Sequence, residues 1–249
     1  MCTVSFVPLN QDEFILTSNR DETTARGLSS APQIIRSQNF SIACPVDPLA
    51  NGTWIGASDT RKVVCLLNGA FKKHKRHVPY RKSRGLVVLD FFNSSTVIEY
   101  VNEYDFTNIE AFTMVIISAE EGIKLYELRW DGNQKYFTRR DEGQIHLWSS
   151  VTLYTEDIIA AKENAFKNYL KKSSVVSQKK LIDLHEKHFL YQDWVEPYLQ
   201  LNEIQTLSVT SIHGNNHSLV MAYRDLIKKV TALKIINLPY LHEEKNAAS

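Results

Sequence analysis

Apolar and polar positions alternate along the chain in short stretches, and these stretches separate runs with the helical period of about 3.6 residues. Alternation, or a short and mostly apolar run between turn residues, predicts strands over residues 3–7, 13–18, 53–58, 62–67, 111–118, 122–130, 134–139, 144–149, 205–212, 217–223 and 230–236. The helical period predicts helices over residues 83–92, 94–104, 155–172 and 175–190. Strand runs flanked by helical blocks predict an α+β domain with an αββα order of layers.

The last two predicted helices each carry an inward apolar stripe. On the first of them, the stripe runs through Ile158, Ile159, Ala165, Phe166 and Tyr169. On the second, it runs through Leu181, Leu184 and His188. Each stripe is typical of a helix that covers one face of a sheet.

Composition indicates one domain and argues against two classes of partner. The 249 residues are 43% hydrophobic, which predicts a single core over residues 1–249, with a frayed tail at about 243–249. A net charge of +1 argues against nucleic acid or an anionic membrane as partner. No apolar run approaches 18 residues, so no transmembrane segment is expected. Three cysteines are too few for a disulfide framework and favour a reducing compartment, which we take to be the cytoplasm.

Cys2 directly follows Met1 and is the first candidate for chemistry. A small second residue favours removal of the initiator methionine, which would leave the thiol on the first residue of the chain. An α-amine has a pKa of about 7.7 to 8.0 and can act as the base for a cysteine nucleophile. Cys44 and Cys65 are expected to pack as small apolar side chains.

The second predicted strand runs into Asn19-Arg20-Asp21-Glu22. A hairpin at residues 10–12 would bring Asp21 back beside Cys2. A carboxylate and a guanidinium at that position can hold an ammonium group and orient a proton transfer. The alternative is a surface ion pair at a strand end, which contributes little to stability.

The order of several motifs resembles that of the NRDE family, also called the transport and Golgi organisation proteins. The resemblance is densest over residues 1–90 and is carried by Cys2, the tetrad at 19–22, Arg26, Asn51-Gly52-Thr53-Trp54-Ile55-Gly56, Leu66-Leu67-Asn68 and Ser83-Arg84-Gly85. That family is similar to penicillin V acylases and bile salt hydrolases. The resemblance implies the N-terminal nucleophile (Ntn) hydrolase fold, in which two antiparallel sheets lie between helical layers.

The resemblance also implies roles for particular residues. Cys2 would attack an amide carbonyl, Arg20 and Asp21 would assist it, and Asn68 would donate a hydrogen bond to the oxyanion. Substrate contacts are expected from Asn19, Trp54 and Arg84. Asn68 precedes Gly69, so the alternative for this residue is an ordinary turn asparagine.

Three positions depart from the related hydrolases. They carry an Arg where this chain has Ser18, and an Asn where it has Ser149 or Ser150. The late strand that would supply a further Arg reads Thr206-Leu207-Ser208-Val209-Thr210. Fewer cations near a thiol leave its pKa less depressed.

Basic residues cluster at 72–84, with Lys72-Lys73-His74-Lys75-Arg76-His77 followed by Arg81, Lys82 and Arg84. This cluster is either a solvated loop or a gate that attracts an anionic small molecule. His185-Glu186-Lys187-His188 lacks the spacing that places two histidines on one metal, so a hydrogen-bonded helix histidine is expected. We expect neither a metal nor another cofactor.

Two classes of function remain. The first is a cysteine Ntn hydrolase that cleaves a linear non-peptide amide or a related acyl bond. The second is a protein that uses the same pocket without turnover to handle haem or an acyl-lipid such as acyl-CoA, as the NRDE resemblance implies. The sequence does not define the substrate or the oligomeric state.

Overall fold

The computed structural model of the protein describes residues 3–173, 175–187 and 204–239. Within these ranges the strands are β1 (Thr3–Pro8), β2 (Phe14–Thr23), β3 (Gln33–Arg36), β4 (Ser41–Cys44), β5 (Ile55–Ser58), β6 (Lys62–Asn68), β7 (Phe112–Ser118), β8 (Lys124–Trp130), β9 (Lys135–Arg140), β10 (His146–Ser149), β11 (Ile204–Gly214), β12 (Ser218–Asp225) and β13 (Val230–Asn237). The helices are α1 (Arg84–Phe91), α2 (Val97–Glu103), α3 (Glu156–Lys172) and α4 (Gln178–Glu186). The predicted tail at 243–249 lies outside the described residues.

The strands form two antiparallel sheets. The first sheet has six strands in the order β10-β1-β2-β11-β12-β13, and the second has seven in the order β3-β4-β5-β6-β7-β8-β9. All of these neighbouring strands pair antiparallel. β1 therefore lies inside the first sheet, between β10 and β2.

Three buried apolar clusters separate four layers. The largest lies between the two sheets and includes Phe6, Leu16, Ile55 and Val115. The outer face of the second sheet packs on α1 and α2 through residues such as Val88, Phe91 and Tyr100. The outer face of the first sheet packs on α3 and α4 through Ile15, Phe166 and Leu181. The αββα sandwich expected from the sequence is therefore confirmed.

The structure corrects the sequence prediction in the N-terminal third. β2 continues to Thr23 instead of ending at Ser18, because it pairs with β11 along this whole length. The NRDE tetrad therefore lies within a strand, where alternate side chains point to opposite faces of the sheet. No strand was predicted for β3 or β4. β3 exposes all four of its residues, so it has no buried face to create an alternating pattern.

The helical predictions are confirmed with shorter ends. Thr96 caps α2, because its side chain accepts a hydrogen bond from the Glu99 amide. On α4, Leu181 and Leu184 are buried as predicted, whereas His188 lies outside the described residues. The histidine that α4 buries is His185, whose side chain is completely inaccessible to solvent.

Candidate active site

The strand registers bring several polar residues to the point where β1 begins. Thr3 pairs with Asn19 of β2 on one side and with Ser149 of β10 on the other. The next residue, Ser150, donates a hydrogen bond of 2.8 Å from its hydroxyl to the main-chain carbonyl of Asn68. The start of β1, the tetrad and the end of β6 therefore meet at one edge of the sandwich.

A cavity of about 320 Å³ opens at this edge. Four of the residues expected to act in catalysis or substrate binding line it, namely Arg20, Trp54, Asn68 and Arg84. Asn19 and Asp21 are not among the lining residues. They neighbour Arg20 in β2, and side chains alternate between the two faces of a strand.

Arg20 is held in place from three directions. Its guanidinium donates 2.9 Å to Asp47 Oδ2 and 3.3 Å to the carbonyl of Gly27. The guanidinium carbon also lies 5.2 Å from the centre of the Trp54 ring, within the range of a cation–π contact. Arg26 donates 3.1 Å to the same Asp47 oxygen. Asp47 thus anchors two arginines of the tetrad region on one carboxylate.

The charge on Asp47 is set by opposing effects. Burial alone would raise the pKa of this carboxyl group. The hydrogen bonds from Arg20, the Ala50 amide and Arg26 outweigh burial and hold its pKa below the ordinary value. Asp47 is therefore a carboxylate at neutral pH, and it balances the buried guanidinium of Arg20.

Glu110 organises the basic residues on the other side of the cavity. It forms ion pairs of 3.3 Å with Arg84 and Arg76, and one of its oxygens lies 3.3 Å from His74 Nε2. Burial lowers the pKa of Arg84, and the charge of Glu110 partly opposes this effect. Arg84 also donates 3.1 Å to the carbonyl of Ala111. The arginine fork is thereby fixed at the cavity wall.

The cavity lining has an excess of positive charge. Among the residues that the structure describes, five cationic side chains line it, namely Arg20, Arg26, Arg76, Lys82 and Arg84, against the three carboxylates of Glu22, Asp47 and Glu110. Part of the basic cluster at 72–84 therefore belongs to the cavity. An anionic group is the charge type that such a lining favours.

Asp21 forms its hydrogen bonds on the side of the first sheet that faces α3 and α4. The Tyr154 hydroxyl donates 3.1 Å to Asp21 Oδ2, and the Thr206 hydroxyl donates 2.6 Å to Oδ1. Asp21 is 3% exposed, so it is a buried acceptor with two hydroxyl donors on its carboxylate. Whether it also acts on the thiol stays a prediction.

The Asn19 side chain forms two hydrogen bonds with His185 of α4. The Asn19 amide nitrogen donates 3.0 Å to the His185 carbonyl, which leaves the amide oxygen to accept from His185 Nδ1. The other ring nitrogen, Nε2, lies 2.7 Å from the Ser5 hydroxyl. His185 therefore joins α4 to β1 and β2, as expected of a hydrogen-bonded helix histidine. In the described parts of the chain, no three His, Cys, Asp or Glu side chains cluster closely enough to hold a metal ion.

The structure adds a residue that the sequence analysis did not select. Lys162 of α3 is fully buried, and its Nζ donates 2.6 Å to the hydroxyl of Thr3. The same Nζ lies 3.8 Å from the centre of the Tyr154 ring. A signal was present, because Lys162 follows Ile158 by four residues and precedes Phe166 by four, which places a lysine on the inward stripe.

The two cysteines that the structure describes are both buried, and neither forms a disulfide. Burial raises the pKa of Cys44 to about 11, against a hydrogen bond with Thr53 that lowers it. Burial raises the pKa of Cys65 to about 12. Both are thus poor nucleophiles near neutral pH. Cys2 lies outside the described residues.

Comparison with known proteins supplies the family. The sequence model of the family Transport and Golgi organisation 2 matches residues 1–221. The chain belongs to this family. No curated protein matches the chain.

Solved structures of hydrolases share the fold of this family member. A mutant of the conjugated bile acid hydrolase from Clostridium perfringens is 11% identical, with a TM-score of 0.50, and the match covers 96% of this chain and 97% of that one. The N-acylethanolamine-hydrolyzing acid amidase ortholog from Caenorhabditis elegans is 12% identical, with a TM-score of 0.53 and coverages of 85% and 92%. Penicillin V acylase from Agrobacterium tumefaciens is 7% identical, with a TM-score of 0.52 and coverages of 95% and 86%. At these identities the likeness establishes the Ntn-hydrolase fold.

Of the positions at which the resemblance predicts a departure from related hydrolases, Ser18 and residues 206–210 are buried in this Transport and Golgi organisation 2 family member, whereas Ser149 is half-buried. Ser18 is fully buried, and its hydroxyl donates 3.3 Å to the Asn19 carbonyl. Ser149 has a buried hydroxyl with no hydrogen-bond partner among the described residues. In the late strand, Thr206 donates to Asp21, as described above. None of these side chains supplies the positive charge that an arginine would.

No helix in the described ranges is long and apolar enough to span a membrane.

Proposed function

We propose that the protein is a cysteine Ntn hydrolase that cleaves a linear non-peptide amide or a related acyl bond. In this proposal Met1 is removed, Cys2 is the nucleophile and the α-amine of Cys2 is the base. One observation carries the proposal: Arg20 and Asn68 line a cavity at the edge of the sandwich where Thr3, the residue bonded to Cys2, begins β1.

The reaction would proceed through a thioester. The Cys2 sulfur attacks the carbonyl carbon, its proton passes to the α-amine, and the carbonyl electron pair moves to the oxygen. Asn68 donates a hydrogen bond to this oxyanion, an interaction worth about 3 to 4 kcal/mol of transition-state stabilisation. Collapse breaks the carbon–nitrogen bond, and the leaving amine takes the proton from the α-ammonium. Water then attacks the thioester, with the α-amine again as base, and releases the acid and the thiol.

The tetrad supports these steps in different ways. Arg20, fixed by Asp47 and stacked on Trp54, contributes positive charge to the cavity and favours a thiolate. Asp21 follows Arg20 in β2, and we propose that its carboxylate stabilises the protonated form of the Cys2 α-amine. The Asn19 side chain is engaged by His185, so it supports the strand through α4 instead of contacting substrate.

The charge of the lining favours a substrate with an anionic group. Arg84 is 17% exposed in its side chain and presents a fixed guanidinium to the cavity. A guanidinium can bind a carboxylate, sulfonate or phosphate with two parallel hydrogen bonds. Trp54 supplies an apolar part of the same lining.

A second candidate function rests on the departures from the related hydrolases. Ser18 stands where the resemblance predicts an Arg, and Ser149 or Ser150 stands where it predicts an Asn, while the cavity keeps its cationic lining. A protein of this kind would bind haem or an acyl-lipid such as acyl-CoA in the same cavity without cleaving it. Haem and acyl-CoA both carry the anionic groups that the lining favours.

Hydrolysis assays with three amides distinguish the enzyme from the binding protein. Two of the amides, a glycine-conjugated bile acid and penicillin V, are anionic, and the third, an N-acylethanolamine, is neutral. We expect hydrolysis that is lost in Cys2→Ala, with Cys44→Ala as the matched control that keeps it. Asn68→Ala should lower kcat by about 10² to 10³. Arg84→Gln should raise KM for the anionic amides and leave the neutral amide unaffected.

Intact mass measurement decides whether Cys2 has a free amine. A purified chain that retains Met1, or hydrolysis that survives Cys2→Ala, would rule out the proposed nucleophile. Saturable binding of haem or acyl-CoA without hydrolysis would favour the second function.

The buried thiols of Cys44 and Cys65, which form no disulfide, support a reducing compartment, and we propose the cytoplasm.

A further inference from the structure

A lysine is rarely buried without a specific partner, because removing its charge from water is costly. Lys162 is nevertheless fully buried in the layer formed by α3 and α4. It is held by the Thr3 hydroxyl at 2.6 Å and by the face of Tyr154 at 3.8 Å. The fold therefore places the amino group of Lys162 beside Thr3, the first described residue of β1.

Thr3 is joined to Cys2 by one peptide bond, which keeps their Cα atoms about 3.8 Å apart. We propose that Lys162 is a positioning residue that acts through Thr3 to set the charge state of Cys2. Its ammonium favours the thiolate over the thiol and the free α-amine over the α-ammonium. Both effects lower the pKa values of the groups concerned, and both favour nucleophilic attack. This inference rests on the proposed function.

The Lys162 charge would compensate for an arginine that this chain lacks at position 18. Ser18 occupies the position at which related hydrolases carry an arginine, so the cavity face of β2 has one cation fewer there. Lys162 supplies a cation from the opposite face of the same sheet. At an effective dielectric constant of about 20, a unit charge about 8 Å from a titratable group shifts the pKa of that group by about one unit or more.

Other titratable groups at this face bear on the sign of the effect. Asp21 comes from β2, Tyr154 from the segment after β10 and His185 from α4. Asp21 is joined to Lys162 through Tyr154, whose hydroxyl bonds the carboxylate while its ring covers the ammonium. On the opposite face, Arg20 adds positive charge. Removing the Lys162 ammonium leaves the Asp21 carboxylate in place, so the thiol pKa should rise.

The test is the pH dependence of Cys2 alkylation by iodoacetamide, followed by mass spectrometry. It reads the thiolate directly and does not require turnover. Lys162→Met should raise the pH midpoint of alkylation by about one unit. The matched control is Lys167→Met on the same helix, which removes an ammonium that is 44% exposed and paired with Glu163. That variant should keep the wild-type midpoint.

A second pair of variants covers the case in which Lys162→Met does not fold. Thr3→Val removes the hydroxyl that accepts from Lys162 at nearly constant volume, and Thr3→Ser restores a hydroxyl. We expect a raised midpoint in Thr3→Val and the wild-type midpoint in Thr3→Ser. Equal midpoints in Lys162→Met and Lys167→Met, or in the two Thr3 variants, would overturn the inference. Hydrolysis assays report separately on the proposed function. Shifted midpoints without hydrolysis would support the positioning role of Lys162 and contradict the proposed hydrolase activity. Hydrolysis with unshifted midpoints would support the hydrolase activity and contradict the role of Lys162.

Discussion

Asp47 is the carboxylate that fixes the arginine side of the cavity, and Asp47→Ala tests this directly. One of its oxygens accepts from Arg20 at 2.9 Å and from Arg26 at 3.1 Å. The other accepts from the amides of Leu49 and Ala50, both at 3.1 Å. The Asp47 side chain is only 10% exposed and that of Arg20 only 4%.

The size of the effect follows from this burial. Asp47→Ala leaves the Arg20 guanidinium buried without its carboxylate, and breaking a buried ion pair costs about 3 to 5 kcal/mol. Asp47→Asn keeps an oxygen for the two amides but loses charge, so about 2 to 3 kcal/mol is expected from its charged hydrogen bonds. Arg26 is 43% exposed, and Arg26→Gln should cost less than about 1 kcal/mol.

Urea unfolding at pH 7, followed by tryptophan fluorescence, measures these differences. The expected order of destabilisation is Asp47→Ala, then Asp47→Asn, then Arg26→Gln. Because the pKa of Asp47 is lowered in the folded protein, its stabilisation is fully present above the ordinary value of 3.8. The stabilisation is lost as the pH falls through the folded-state pKa. The gap between wild type and Asp47→Asn should therefore shrink below about pH 4.

Two results would refute this reasoning. Asp47→Ala within about 0.5 kcal/mol of wild type would show that the buried pair is not what holds Arg20. An unchanged gap between wild type and Asp47→Asn at pH 3 and pH 7 would show that the charge of Asp47 is not responsible.

Three further substitutions or treatments test other parts of the structure. Asp21→Ala should destabilise the protein by about 2 to 4 kcal/mol in urea unfolding, because two buried hydroxyls lose their acceptor, and a fully stable variant that lost only hydrolysis would favour a purely catalytic role. Iodoacetamide at pH 8 should leave Cys44 and Cys65 unlabelled until the protein is unfolded, since burial raises both pKa values, and rapid native labelling would contradict their burial. Gly52→Ala should cost about 1 to 3 kcal/mol, because its Cβ would collide with the backbone of Gly85 at the start of α1, and a neutral effect would show that this backbone contact is not tight.

Much of the fold could be predicted because burial imposes a period on the sequence. β7 and β6 each bury one face between the sheets and the other under α1 and α2, and their apolar runs identified them as strands. α3 was identified by the stripe that packs on the first sheet. β3 was missed because an edge strand exposed at every position has no such pattern. The length of β2 was underestimated because pairing with β11, almost two hundred residues away, keeps it extended through polar residues.

The candidate site, like the fold, was predicted from the sequence only in part. The sequence by itself determined the family, the αββα layers and the residue types of the site, because these depend on local periodicity and on motifs in fixed order. Only the tertiary structure decided which side chains share a cavity. Arg20 faces it with Trp54, Asn68 and Arg84, whereas Asp21 binds on the opposite face of the strand. It also placed Lys162 against Thr3, a contact across 159 residues of chain. Strand register and helix docking fix such contacts through long-range packing, and no local pattern in the sequence encodes them.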